Sequence, residues 1–161
     1  FEAFKDCDVV TLDLEGVSLE GLKLLESGGV RVAPGSSVLE IIQNKIKQKE
    51  FFSDNQISTS PFRVISELDD SVPHGFLKLP TGGYDGKGVL HWKGELSDVP
   101  SPFCQNILWE EAVDIEKEIS IIGVRGVSGE VLLYEPTEMI FDSHLNLISH
   151  TNFPSLSLIH I

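Results

Sequence analysis

Apolar and polar positions change rhythm along the chain, and each rhythm predicts an element. Residues 8–15, DVVTLDLE, are rich in apolar and β-branched side chains and predict a buried strand. From residue 18, SLEGLKLLESGG shows helical spacing, with Ser18 placed as N-cap and Gly28 near the C-terminus. VRVAP follows as a second strand, so strand, helix and strand with short joins predict a parallel βαβ unit. Residues 36–55, SSVLEIIQNKIKQKEFFSDN, predict one longer helix. Ser37 and Glu40 have capping-box spacing, and Leu39, Ile42 and Ile46 supply an apolar stripe. Lys45 and Lys49, four apart, share a face of it.

After Pro61 the period shortens. FRVI, FLKL, VLHW, NILWEE, EISIIGVR and EVLLYEP read as strands separated by turn chemistry such as Ser128-Gly129. A mostly antiparallel sheet therefore follows the parallel piece, with a boundary near residues 59–61. Neither an internal repeat nor a low-complexity segment interrupts the pattern.

Composition narrows the class. The 161 residues suit one domain or parts of two, and 41% apolar against 23% charged argues for a real core. A net charge of −13 disfavours a nucleic-acid partner, which needs clustered Lys and Arg, but leaves room for a nucleotide met by a few local cations. No apolar run approaches the ~20 residues of a membrane helix. Two cysteines, Cys7 and Cys104, are too few for a disulfide framework, so reduced thiols in a cytoplasmic protein are expected.

Candidate chemistry starts in TGGYDGKG, residues 81–88, between the strands FLKL and VLHW. Glycines let backbone N–H groups approach and cradle an anion, although a turn without a ligand has the same composition. The common phosphate loop is excluded. It needs four residues before Gly-Lys and a following Ser or Thr, whereas three separate Gly82 from Gly86 and Gly88 follows Lys87. The expectation is a hairpin lid closing over phosphates. Lys78 interrupts an apolar strand: either it snorkels at an edge or an anion offsets its charge. Glu110, Glu111, Asp114, Glu116 and Glu118 form either a solvated turn or a linker walling a cleft. In a cleft, a carboxylate could accept a ribose diol and the backbone could read an adenine edge.

These residues together resemble the N5-carboxyaminoimidazole ribonucleotide synthases, ATP-grasp enzymes of purine synthesis. The resemblance runs from about residue 6 to 154. It is carried by DVVTLDLE, IIQNKIKQKEFF, GGYDGKG after a strand lysine, EEAV with EIS after four further residues, EKEISIIGVR and YEPTEM. Tyr84-Asp85 is its specific part, because biotin carboxylases resemble GGGGRG there and the formate-dependent purine transformylase has a serine-rich version. A non-catalytic nucleotide-binding module is the alternative from another class.

The resemblance implies an α/β (α+β) ATP-grasp fold. Residues 1–35 would close a Rossmann-like domain, 36–60 connect, 61–131 form the lid, and 132–155 begin the C-terminal lobe. For ATP it implies Lys45 and Lys78 on phosphates and Gly83, Tyr84, Asp85, Gly86, Lys87, Gly88 and Val89 as lid. It further implies Glu110, Glu111, Ala112 and Val113 as adenine hinge, and Glu118 on the ribose. Tyr84 and Asp85 fall on the substrate side as catalytic candidates, with Glu15 on the substrate-pocket wall. Bicarbonate would be phosphorylated by ATP, with Mg²⁺, and its carboxyl group captured by 5-aminoimidazole ribonucleotide. A cytoplasmic homodimer is implied for the full-length enzyme. Val89, Phe141, Gly16 and Asp13 depart from the family's usual Gln, His, Asn and Glu. The family's first glycine-rich phosphate loop and its metal-bearing C-terminal lobe have no counterpart, so the expectation is a partial chain, inactive alone, with no metal ligands of its own. Residues 156–161, LSLIHI, read as the translation of a transposon-derived adaptor and are expected to be a non-native tail.

Overall fold

The computed structural model describes residues 2–83, 88–142 and 147–153. The chain divides after Val113 into two compact units. In the first, β1 (Val9–Thr11), α1 (Leu19–Ser27) and β2 (Arg31–Ala33) form the predicted βαβ unit, with β1 and β2 parallel. Ser18 caps α1 by accepting from the Gly21 N–H at 3.1 Å, and Gly28 closes it. The first strand is shorter than 8–15: its partner ends at Ala33, before Pro34, which has no N–H to continue the ladder. Leu22, Leu25, Val30 and Leu39 make a small core beneath this unit.

The single long helix of the sequence reading is two helices, α2 (Ser36–Ile42) and α3 (Lys45–Asp54). Asn44 causes the break, since its side chain accepts from the Ile46 and Lys47 N–H groups and starts a new helix. The apolar stripe stops there: Leu39 is buried while Ile42 is exposed. No Ser37–Glu40 capping box forms. Gly35 is the N-cap of α2, Glu26 takes the Ser36 N–H at 2.8 Å and the Ser36 hydroxyl, and Glu40 pairs with Lys23 and Lys47.

Four strands then build the sheet that carries the site: β3 (Phe62–Glu67), β4 (Gly75–Lys78), β5 (Val89–Trp92) and β6 (Gln105–Glu110). Their order is β3-β6-β4-β5, all antiparallel. Alternation sends Leu77, Ile107 and Trp109 to one face, where they pack with Leu68, Val72, Trp92 and Phe103. Both indole N–H groups donate to backbone carbonyls, Trp92 to Val72 at 2.9 Å and Trp109 to Pro73 at 2.8 Å.

In the second unit, β7 (Glu118–Ser120), β8 (Gly123–Arg125), β9 (Val131–Leu133), β10 (Thr137–Asp142) and β11 (Leu147–Asn152) form two small sheets, β11-β10-β7 and β8-β9. EISIIGVR is thus two strands in separate sheets, because β7 pairs with β10 and β8 with β9. None of the described residues beyond Val113 is buried.

Candidate functional site

The face of the four-stranded sheet opposite the tryptophan core carries the chemistry. Antiparallel register places Lys78 opposite Leu108 and Phe76 opposite Glu110, so all four side chains share this face and Lys78 is the diagonal neighbour of Glu110. Leu108 is fully buried and Phe76 stacks on His91 at 5.0 Å. Lys78 Nζ lies 2.9 Å from Glu110 Oε1, and Glu110 is only 7% exposed. The strand lysine therefore does not stand alone. Its charge is met by a carboxylate from the next strand.

Helix α3 reaches the same face through Lys49. Lys49 Nζ lies 3.1 Å from Glu110 Oε2 and donates to Thr59 Oγ1 at 2.6 Å and Ser60 Oγ at 2.9 Å; the Ser60 hydroxyl in turn donates to Glu110 Oε2 at 2.9 Å. Burial alone would push the Glu110 carboxyl up. The hydrogen bonds from Lys78 and Ser60, the Lys78 charge and the Lys49 hydrogen bond outweigh that, so Glu110 is held below the usual carboxylate range. Every described buried side-chain N or O atom has a partner.

The first residue of α3 sits at the glycine loop. The Lys45 N–H donates to the Pro80 carbonyl at 2.9 Å, and its Nζ lies 3.3 Å from where a Cβ on Gly83 would stand. A Cβ on Gly83 would approach the Gly88 Cα to 2.8 Å, and one on Gly88 would approach the Gly83 Cα to 2.6 Å. These two positions admit only glycine because the backbones touch at the neck of the loop. The neck is tied by the Leu79 N–H donating to the Gly88 carbonyl at 2.9 Å. Tyr84, Asp85, Gly86 and Lys87 lie outside the described residues.

Among the remaining candidates, Val89 begins β5 opposite Lys78. The Glu111 N–H donates to the Pro61 carbonyl at 2.9 Å, and Glu111, Ala112 and Val113 are exposed at the end of β6. Glu118 is exposed on β7 opposite Met139, in the second unit. Glu15 lies in a turn after β1, where the Gln43 amide donates to its carbonyl at 2.6 Å and to that of Val17 at 2.7 Å. Among the described residues no three His, Cys, Asp or Glu side chains converge as a metal ion requires. The residues missed by sequence reasoning are Lys49, Thr59 and Ser60. Their one signal is the four-residue step from Lys45 to Lys49.

Lys78 is thus clamped by Glu110 in the strand that leads to a glycine-necked loop, and the first lysine of α3 lies against the neck at Gly83. Residues 50–154 match the ATP-grasp domain. The chain belongs to the ATP-grasp family. Within it, this ATP-grasp chain is 27% identical over 145 residues to the N5-carboxyaminoimidazole ribonucleotide synthase of Brucella melitensis, a match covering 83% of this chain and 40% of that one. It is 31% identical over 154 residues to the chloroplastic phosphoribosylaminoimidazole carboxylase of Vigna aconitifolia, covering 89% and 28%. A solved N5-carboxyaminoimidazole ribonucleotide synthetase in its ADP complex superposes with a TM-score of 0.74 at 28% identity, covering 92% of this chain and 41% of that one. The chain thus spans less than half the length of the relatives it matches.

Proposed function

We propose that this ATP-grasp chain is part of an enzyme that carboxylates 5-aminoimidazole ribonucleotide with bicarbonate, converting ATP to ADP and phosphate. The observation that carries the reading is the Lys78–Glu110 pair set beside Lys45 and the Gly83–Gly88 neck. ATP would supply the phosphoryl group that activates bicarbonate. The chain's own residues bind and orient it. Lys45 and Lys78 offset phosphate charge, and the loop from Gly83 to Val89, with Tyr84, Asp85, Gly86, Lys87 and Gly88, covers the phosphates through its backbone N–H groups. The exposed backbone of Glu111, Ala112 and Val113 after Glu110 presents the adenine contact, and Glu118 is the ribose candidate that the family resemblance supplies. Tyr84 and Asp85 are the catalytic candidates for the aminoimidazole step, and Glu15 is the candidate for the substrate pocket. Residues 61–131 act as the lid, with the sheet from β3 to β6 as its frame. Mg²⁺ use, a homodimer and a cytoplasmic setting belong to the same proposal. No helix among the described residues is long and apolar enough to cross a membrane.

The test is phosphate release from ATP by a version of the chain extended with the segments of a relative outside its match. Release that requires bicarbonate and aminoimidazole ribonucleotide together is the expected result. Equal release with biotin in place of the ribonucleotide would move the chain to another ATP-grasp carboxylase.

A further inference from the structure

Three charges meet on the site face, and the buried one on α3 has no place in the phosphate contacts given above. Glu110 receives Lys78 on Oε1 and Lys49 on Oε2. The side chains of Lys49 and Glu110 are each 10% exposed and that of Lys78 is 28% exposed. An ammonium has three N–H donors, and those of Lys49 are matched by Thr59, Ser60 and Glu110. Lys49 therefore has no donor left for a ligand. Lys78 makes one such pairing among the described residues and keeps the more exposed position.

We propose that Lys49 is a positioning residue: its charge offsets Glu110, so that the Lys78 ammonium stays available to an anion instead of being neutralised by its own neighbour. The inference rests on the phosphate role assigned to Lys78. With Lys49 in place the triad carries a net single positive charge at its exposed end. Without it, Lys78 and Glu110 close into a neutral pair, and a phosphate would have to compete with a carboxylate already in contact. Charge this poorly screened acts strongly over a few ångströms. A lysine that served only to fasten residues 59–60 to β6 would have no such consequence for Lys78.

Charge arithmetic distinguishes the two roles. The probe is the Lys78 ammonium resonance of this chain, labelled with ¹⁵N-lysine and titrated first with tripolyphosphate and then with ATP. Lys49→Met is expected to weaken tripolyphosphate by about tenfold, the effect of one nearby charge. The double variant Lys49→Met with Glu110→Gln removes both offsetting charges and is expected to recover to within about threefold of the starting protein. Thr59→Ala, which removes one hydrogen bond and no charge, is expected to change affinity by less than about twofold. Should Lys49→Met not fold, Glu110→Gln alone decides: the proposal expects tighter tripolyphosphate binding than in the unchanged chain, and weaker binding overturns it. A folded double variant that binds no better than Lys49→Met also overturns it. Absence of any Lys78 response to either anion in the unchanged chain overturns it together with the phosphate role. A response to tripolyphosphate that ATP does not improve upholds Lys49 and removes the nucleotide from the function proposed above.

Discussion

Glu110 is the residue on which the site face depends, because it is nearly buried and holds two lysines at once. Its pKa is depressed in the folded chain, so in the acid range the unfolded chain binds more protons. The stability it contributes is therefore complete above the ordinary carboxylate value, about 4.3, and is lost as pH falls through the lower folded value. Glu110→Gln leaves Lys49 buried without its counter-charge and is expected to cost about 3 kcal/mol at pH 7. Urea melts at several pH values provide the check. The gap between the variant and the unchanged chain should shrink as pH falls from 5 to 3, because protonation does to Glu110 what the substitution does. A gap that stays constant over that range would mean that the ionised carboxylate contributes nothing. Glu40 illustrates the contrast. Hydrogen bonds from Lys23 and Lys47, then their charges, lower its pKa to about 2, yet it lies at the solvent surface, where such pairs are screened and worth little.

At the scale of elements, the two units differ in what backs their strands. β6 is hydrogen-bonded on both sides, to β3 and β4, and Ile107, Leu108 and Trp109 are all buried. Among the described residues, β8 and β9 pair only with each other over three residues, with Val124 51% and Leu132 68% exposed. Such a two-stranded ribbon has little to hold it closed. Amide exchange is therefore expected to be at least roughly 100-fold slower at residues 107–109 than at 123–125 and 131–133. Uniform protection across the two sets would show that the exposed strands are held as firmly as the central one. The same contrast explains what the sequence made legible. Ser18 and Gly28 mark α1 because capping is local, and the strands after Pro61 follow from β-rich runs between turns. Asn44 was hidden, since its cap competes with an apolar stripe that continues through it on paper. EISIIGVR reads as one strand because an apolar run does not reveal that its halves pair with different neighbours. Spacing shows Lys49 only as half of a basic helix face: its buried state is set by Glu110, Thr59 and Ser60, which no spacing along α3 announces.

At the scale of the whole molecule, the lysine face proposed for phosphate works against the charge of the chain that carries it. Lys45, Lys78 and Lys87 are the cations assigned to the triphosphate, within a chain whose net charge is −13, so the long-range field opposes an anion while the local one attracts it. No metal-holding carboxylate cluster exists among the described residues, and the chain spans 40% of the Brucella relative. Binding must still offset several kcal/mol of lost translational and side-chain freedom. The expected ATP affinity of the chain by itself is about 1 mM, equivalent to about −4 kcal/mol. No turnover is expected from it with ATP, bicarbonate and aminoimidazole ribonucleotide. Phosphate release should appear only in the extended version, where further groups can meet the charge that develops on the transferred phosphoryl oxygens. Running both proteins in the same assay separates the possibilities. Comparable rates would mean that these 161 residues suffice for the reaction. Release by the extended version alone, abolished there by Lys78→Met, would tie the reaction to the lysine face described above.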